Sequence, residues 1–258
     1  MKFHVVIPAR FQSSRLPGKV LLDIAGKPML QHVYERAQES GAASILIATD
    51  DLRIYKVAQE FGADVCMTDI NHISGTDRIA EAVSQKRFAD DDIIVNLQGD
   101  EALMPAEVIH QVASDLAEHE QASMTTVCEA IKIPDEIFDP HIVKVVLDDQ
   151  NYAMYFSRAP IPWVQGLFGY GDIKSDISLN HYRHVGIYAY HVAFLQQFVA
   201  WPHCPIENME SLEQLRVIWH GKKIHVAKAC KETFIGVDTQ DDLDSIREYF
   251  GNHVAADT

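Results

Sequence analysis

Apolar residues occur along this chain in short blocks, and the blocks alternate between two periods. FHVVIPA (3–9), SILIATD (44–50) and DIIVNLQGD (92–100) are compact apolar runs ended by turn or charged residues, which predicts buried strands. ADVCMT (63–68) is a weaker run of the same kind. Between them the apolar positions spread to helical spacing. In KPMLQHVYERAQES (27–40), Met29, Leu30, Val33, Tyr34 and Ala37 share a face; Pro28 suits a first turn and Gly41 the position past the end. DLRIYKVAQEFG (51–62), TDRIAEAVSQ (76–85) and AEVIHQVASDLAEH (106–119) repeat that period, the last with Val108, Ile109, Val112 and Leu116 on one side. Strand and helix in alternation predict an α/β fold with a parallel sheet covered on both faces. Ligands of such sheets bind beyond the carboxyl ends of the strands. The loop at 9–19 and Asp100 both fall at such ends, so they are expected on one edge.

The second half reads differently. VKVVLDDQNYAMYFSR (143–158) is a pair of β-like runs around a DDQN turn, a hairpin pattern. RHVGIYAYH (183–191) and KIHVAKA (223–229) are strands, SLEQLRVIWHG (211–221) is a helix closed by Gly221, and TQDDLDSIREYF (239–250) is a last amphipathic helix. The tail GNHVAADT (251–258) is expected to fray. No linker, low-complexity tract or internal repeat interrupts the chain.

Charge narrows the function. Among 258 residues, 37 Asp+Glu face 22 Lys+Arg, a formal net charge of −15, which argues against nonspecific nucleic-acid binding. The same excess makes any cluster of cations informative. Cys66, Cys128, Cys204 and Cys230 are scattered without a C-x-x-C pair, which suits reduced thiols rather than a disulfide framework or a zinc site. The N-terminus lacks a signal-peptide apolar region and no stretch reaches membrane-span length, so a cytoplasmic protein is expected, with no membrane partner. There are 13 histidines, but His181 and His184 point to opposite faces of a strand and no H-E-x-x-H occurs. No G-x-S-x-G supports a serine nucleophile.

The cation cluster is PARFQSSRLPGK (8–19), with Arg10, Arg15 and Lys19 directly after the first strand. A Walker A loop fails here, because Ser13 and Val20 stand where it needs Gly and Ser/Thr. The dinucleotide fingerprint is absent as well; GLFGYG (166–171) has the wrong glycine order and no strand before it. What remains is a loop whose N–H groups and cations suit a polyanion such as a triphosphate. Asp100, after Gly99, is a plausible Mg²⁺ ligand, since Mg²⁺ takes one or two carboxylates plus substrate phosphates. Asp238 is a second, because Thr239 and Asp242 already form a capping box and leave it free. Two carboxylates and a cationic loop suit Mg²⁺-assisted nucleotidyl transfer.

ISGTDR (73–78), NLQGDE (96–101), YFSRAPIPW (155–163), RHVGIYAY (183–190), LEQLR (212–216) and GVDTQDDL (236–243) join that loop in a fixed order. On these motifs the chain, from about residue 3 to 248, resembles the bacterial 3-deoxy-manno-octulosonate (Kdo) cytidylyltransferases, or CMP-Kdo synthetases. The loop is shared with other sugar cytidylyltransferases, while RHVGIY and LEQLR lean toward Kdo. The resemblance implies a Rossmann-like, doubly wound, mostly parallel sheet of the nucleotide-diphospho-sugar transferase type with a smaller β-rich sub-domain. It implies one domain over 1–250, with 1–142 and 205–250 binding nucleotide and 143–204 serving sugar binding and homodimerisation. CTP and Kdo would give CMP-Kdo and pyrophosphate, for lipopolysaccharide biosynthesis.

By that resemblance Arg15 and Lys19 bind the triphosphate, and Pro8, Ala9, Arg10, Ser74 and Gln98 hold the nucleotide. Asp100 and Asp238 bind Mg²⁺. Arg78, Gln98, Arg158, His184, Tyr188, Glu213 and Gln214 match sugar-pocket positions. Ala102 stands where the family usually has Pro, and 164–182 matches no motif. The alternatives are the same reaction on 8-amino-Kdo or another 2-keto sugar acid, an NAD(P)-dependent oxidoreductase, which lacks its glycine fingerprint here, and a non-catalytic nucleotide-binding regulator.

Overall fold

A computed structural model describes residues 1–13, 15–166, 168, 180–234 and 236–254. The chain runs β1 (Phe3–Ala9), β2 (Asp23–Ile24), β3 (Lys27–Pro28), α1 (Met29–Glu39), β4 (Ser44–Thr49), α2 (Leu52–Glu60), β5 (Asp64–Met67), α3 (Gly75–Lys86), β6 (Ile93–Asn96) and α4 (Ala106–Glu118). It continues through β7 (Met124–Ala130), β8 (Lys144–Leu147), β9 (Ala153–Ser157), β10 (Tyr182–His191), α5 (Val192–Ala200), α6 (Pro205–Glu210), α7 (Leu215–Trp219), β11 (Ile224–Lys228) and α8 (Gln240–Val254).

One nine-stranded sheet organises the molecule, in the order β11-β7-β10-β6-β1-β4-β5, with β8 paired to β10 and β9 to β8. β1 pairs in parallel with β4 and β6, β4 with β5, and β7 with β11, whereas β10 runs antiparallel to β6 and β7. This is the mostly parallel α/β sheet the alternating blocks predict. β1 is buried without a break because its residues alternate between two cores. Val5 and Ile7 pack with α1, α2, α4 and α8; Val6 packs with α3, α5 and α7. The carboxyl ends of β1, β4 and β6 therefore share one edge, uncovered by either helical layer.

Several elements differ from the sequence reading. β7 carries Thr125 and Thr126, which break its apolar run, yet both are fully buried. Their hydroxyls find backbone acceptors, Val112 O for Thr125 at 2.7 Å. α5 begins where β10 stops, with no turn residue to announce it, and α6 is a short helix with Pro205 in its first turn. The helix expected over 211–221 is shorter: Ser211 has φ 52° and regular helix runs only Leu215–Trp219. The last helix passes the expected end at 250 and reaches Val254. β10 lies mid-sheet, so within 143–204 only the β8–β9 hairpin stands outside the main strand order. Most of the unmatched 164–182 segment lies outside the described residues. Among the described residues, no helix is long and apolar enough to cross a membrane.

Candidate active site

The loop after β1 turns back on itself around Phe11. The Gly18 N–H donates to Phe11 O at 2.8 Å with φ 69°, and a Cβ at Gly18 would meet the Phe11 ring at 2.8 Å. The Arg53 guanidinium covers the same ring at 3.3 Å from its centroid. This fold-back delivers Lys19 and Arg15 to the sheet edge. Lys19 Nζ donates to Asp100 Oδ2, to Val237 O at 2.9 Å and to Asp238 Oδ1 at 2.8 Å. Arg15 Nη2 reaches Asp238 Oδ2 at 2.6 Å. The loop and Asp100 thus share an edge, as the strand-end argument anticipates, and Asp238, more than 200 positions away from the loop, joins them there.

Two glycines permit that approach. A Cβ at Gly99 would stand 3.0 Å from Pro8 O, and one at Gly236 would stand 3.0 Å from Glu101 Oε1. The Thr239–Asp242 capping box forms as read: the Thr239 N–H donates to Asp242 Oδ2 at 2.8 Å and the Asp242 N–H to Thr239 Oγ1 at 3.2 Å. Asp238 keeps its carboxylate for the two cations. Burial lowers the Lys19 pKa, but the Asp100 and Asp238 carboxylates outweigh it and hold the ammonium above its usual range. Burial pushes the Glu101 carboxyl up to about 8, and the charge of Asp100 adds to the effect. The pair Asp100 and Asp238 fits a hard divalent cation such as Mg²⁺: anionic oxygens from both already gather round one positive charge, the Lys19 ammonium.

Pro8, Arg10, Arg15, Lys19, Gln98 and Asp100 are among the residues lining a cavity of about 200 Å³ at this edge. Ala9 lies beneath it, buried. Ser74 caps α3 by accepting from the Asp77 N–H at 3.0 Å, and the next residue, Gly75, stands where a Cβ would touch Pro8 and Gln98. The start of α3 therefore abuts this cavity.

A second cavity, of about 920 Å³, adjoins the first and shares Arg15 and Asp238 with it. Arg158, His184, Tyr188, Glu213 and Gln214 all line it. Arg158 is anchored by Nε to Glu210 O at 2.7 Å and by Nη1 to Pro140 O at 2.8 Å. Gln214 is buried, and among the described residues its Nε2 has no hydrogen-bond partner. Burial raises the pKa of Glu213 and of Tyr188, and lowers that of His184 to about 3. Arg78 is placed elsewhere: it is buried, bonded to Thr68 Oγ1 at 2.6 Å and Asp50 Oδ2 at 2.7 Å, and lines neither cavity. Gln98 lines only the smaller one.

The sequence reading missed a connection between the two cavities. Gln98 Nε2 donates to Asn96 Oδ1 at 2.8 Å, Asn96 Nδ2 to Thr76 Oγ1 at 3.4 Å, and Thr76 Oγ1 to Glu213 Oε1 at 2.5 Å. Each donor in this chain points the same way, and among the described residues no hydrogen bond engages Gln98 Oε1. The available signal was a polar Asn closing the apolar run IIVN; Thr76 offered none. Asp115 and His119, one turn apart, also meet the distant His225. His225 Nδ1 contacts Asp115 Oδ2 at 2.6 Å and His119 Nδ1 contacts Oδ1 at 3.2 Å. Their rings stack at 3.7 Å and 17°, so the two Nδ1–H groups run side by side to one carboxylate and are not lone pairs converging on a metal.

Comparison with known proteins gives a consistent result. The family model described as "Cytidylyltransferase" matches residues 4–224. The chain is 56% identical over 252 residues to the 3-deoxy-manno-octulosonate cytidylyltransferase of Coxiella burnetii, covering 97% of this chain and 100% of that protein. It superposes on the structure of a CMP:2-keto-3-deoxy-manno-octonic acid synthetase complexed with CTP with a TM-score of 0.88 and 40% identity, over 98% of this chain and 100% of the other. A nucleotidyl transferase from Methanothermobacter thermautotroptrophicus shares the fold, with a TM-score of 0.61 and 13% identity over 98% of this chain and 99% of that one.

Proposed function

Since the chain belongs to the cytidylyltransferase family, and within it to the 3-deoxy-manno-octulosonate cytidylyltransferases, we propose that it transfers CMP from CTP to Kdo. The anomeric 2-hydroxyl oxygen of Kdo attacks the α-phosphorus of CTP. The bond from that phosphorus to the bridging oxygen breaks, pyrophosphate leaves, and the hydroxyl proton is lost to solvent or a base. The observation that carries the reading is the pair of adjoining cavities that share Arg15 and Asp238. One suits a nucleotide, the other a polar sugar, and the reacting atoms would meet at their junction.

In this reading Arg15 and Lys19 bind the triphosphate and stabilise the charge that moves onto pyrophosphate. Pro8, Ala9, Arg10, Ser74 and Gln98 hold the nucleoside. Asp100 and Asp238 hold Mg²⁺, which when bound would lower the pKa of the sugar hydroxyl and neutralise phosphate charge. Lys19, the cation now between those carboxylates, would then be released toward the phosphates. Arg158, His184, Tyr188, Glu213 and Gln214 bind the sugar acid, and the orphaned Gln214 amide is a ready donor for it. Arg78 would act at a distance, by fixing α3 against the ends of β4 and β5 through Asp50 and Thr68.

The reading extends to a cytoplasmic homodimer that supplies activated Kdo for lipopolysaccharide. Segments 1–142 and 205–250 would bind nucleotide and 143–204 would serve sugar binding and dimerisation, with Glu213 and Gln214 lent to the sugar side by the core. Met154 and Trp163, apolar yet 60% and 56% exposed, support a partner on the 143–204 face. The deciding assay is pyrophosphate release from CTP, run with and without Kdo and Mg²⁺, beside arms containing 8-amino-Kdo and a sialic acid. Release that requires both Kdo and Mg²⁺ supports the proposal. No release with any of the acids sinks it.

A further inference from the structure

Thr126 occupies a position in β7 that no motif singles out. It is fully buried, and its hydroxyl oxygen lies 2.7 Å from Ile187 O, 3.0 Å from Val185 O and 3.0 Å from His184 Nε2. The register between β7 and β10 shifts between Val185 and Tyr188, and Thr126 fills this irregularity. The two carbonyl oxygens can only accept, and the hydroxyl has a single proton. If that proton went to His184, bare oxygen lone pairs would face each other at 2.7 Å. The hydroxyl must therefore donate to the backbone, which leaves its oxygen to accept from His184. His184 Nε2 carries the hydrogen.

That assignment fixes the other side of the ring. Among the described residues no hydrogen bond engages His184 Nδ1, and the residue lines the larger cavity. Phe156 meets the ring edge-on at 4.9 Å and Tyr188 lies at 5.4 Å, so the imidazole is clamped in place. Burial, with no carboxylate acting on the ring, keeps it neutral at ordinary pH. We propose that Thr126 is a positioning residue that holds His184 as its Nε2–H tautomer, so that Nδ1 is an acceptor for one hydroxyl of the bound sugar acid. The proposal rests on the sugar-acid reading of the cavity given above. A neutral acceptor refuses the carboxylate of the sugar acid, so that group must lie elsewhere in the cavity. It equally disfavours an analogue in which the contacted hydroxyl is replaced by hydrogen or an ether.

The test has a direct readout that needs no turnover. Long-range ¹⁵N–¹H NMR of histidine-labelled protein, with the His184 signals assigned by His184→Gln, should show a protonated Nε2 and a bare Nδ1 that moves on addition of the sugar acid. An Nδ1–H tautomer in the unmodified protein overturns the proposal, whatever the variants do. Thr126→Val should mix the tautomers and raise KM for the sugar acid about three- to tenfold, the effect of one net hydrogen bond, while KM for CTP stays put. Thr126→Ser should restore both. A Thr126→Val protein with the tautomer and KM unchanged, or with kcat and both KM values damaged and no rescue by Ser, also overturns it. If no sugar acid supports turnover although CTP binds, the reaction fails and the acceptor role with it, while the Thr126–His184 pairing stands on the NMR alone.

Discussion

The two halves of the site solve recognition by opposite means. The nucleotide half is ionic: Arg15, Lys19, Asp100 and Asp238 pair among themselves, with Arg15 54% and Asp238 44% exposed. The sugar half is more buried, and apart from Arg158 the titratable groups assigned to the sugar are shifted toward their neutral forms. Burial lowers the His184 pKa to about 3 and raises those of Glu213 and Tyr188, and Gln214 Nε2 has no partner among the described residues. A polyanion can be held by charges that exchange partners on binding. A sugar decorated with hydroxyls has to be read by fixed donors and acceptors, and fixing them takes burial and supporting bonds. The Gln98–Asn96–Thr76–Glu213 chain spans the divide.

The comparison breaks most visibly in the ionic half. Asp100→Asn or Asp238→Asn should lower kcat/KM by on the order of a thousandfold, about 4 kcal/mol of lost transition-state stabilisation if each is a metal ligand. Folding should survive, since both side chains sit at the sheet edge outside the two cores. Steady-state kinetics across a Mg²⁺ series measures this, and a loss below tenfold for both variants removes them from the catalytic set.

The next effect tests whether the halves are coupled. Thr76→Val cuts the side-chain relay at its centre, leaving Asn96 and Glu213 each short of a partner, and should cost about 1–3 kcal/mol. In a double-mutant cycle with Gln98→Ala, measured on kcat/KM, a coupling of roughly 0.5 kcal/mol or more is expected. Additive effects would mean that the chain is structural padding and the two cavities act independently.

What the sequence disclosed follows the same division. The ionic half was legible because charge stands out in an acidic chain and because strand ends share an edge; Arg15, Lys19 and Asp100 meet where that argument put them, and Asp238, singled out by its neighbouring capping box, joins them. The parallel core was legible because β1, β4 and β6 are apolar on both faces. β7 was not, because two threonines interrupt its run and only tertiary packing shows that their hydroxyls are satisfied by distant backbone. α5 was missed because no breaker separates it from β10. Thr76, Asn96 and Thr126 each bond a residue between 20 and 137 positions away, and a single polar letter carries no such information. Arg78 shows the converse, a residue whose motif suggests contact and whose side chain is spent on Asp50 and Thr68.

The buried half should also leave a mark on stability. His184 has a folded pKa of about 3, depressed by burial below the usual 6.5. Between those values the unfolded chain binds the proton and the folded one does not, so this residue's contribution is intact above pH 6.5 and declines as pH falls toward 3. The slope is on the order of 1 kcal/mol per pH unit at most. Urea unfolding of wild type and His184→Gln from pH 7 to 4.5 should therefore converge, the wild type losing stability faster. Parallel curves would mean that the imidazole takes up a proton in the folded state, and His184 would not be shifted toward its neutral form.

The smallest expected effect separates the halves by salt alone. Exposed pairs such as Arg15 with Asp238 are screened within about 10 Å at 0.1 M ionic strength, and so is their attraction for a triphosphate. Raising a neutral salt from roughly 0.05 to 0.5 M at fixed free Mg²⁺ should increase KM for CTP about two- to fivefold, because the Debye length shrinks below the span of the loop. Hydrogen bonds from buried neutral groups do not feel that screening, so KM for the sugar acid should change less than KM for CTP. Equal salt slopes for the two substrates would show that the sugar is held chiefly through its own carboxylate by an exposed cation. Arg158, whose Nε and Nη1 are already committed to backbone carbonyls, would then be the first residue to substitute.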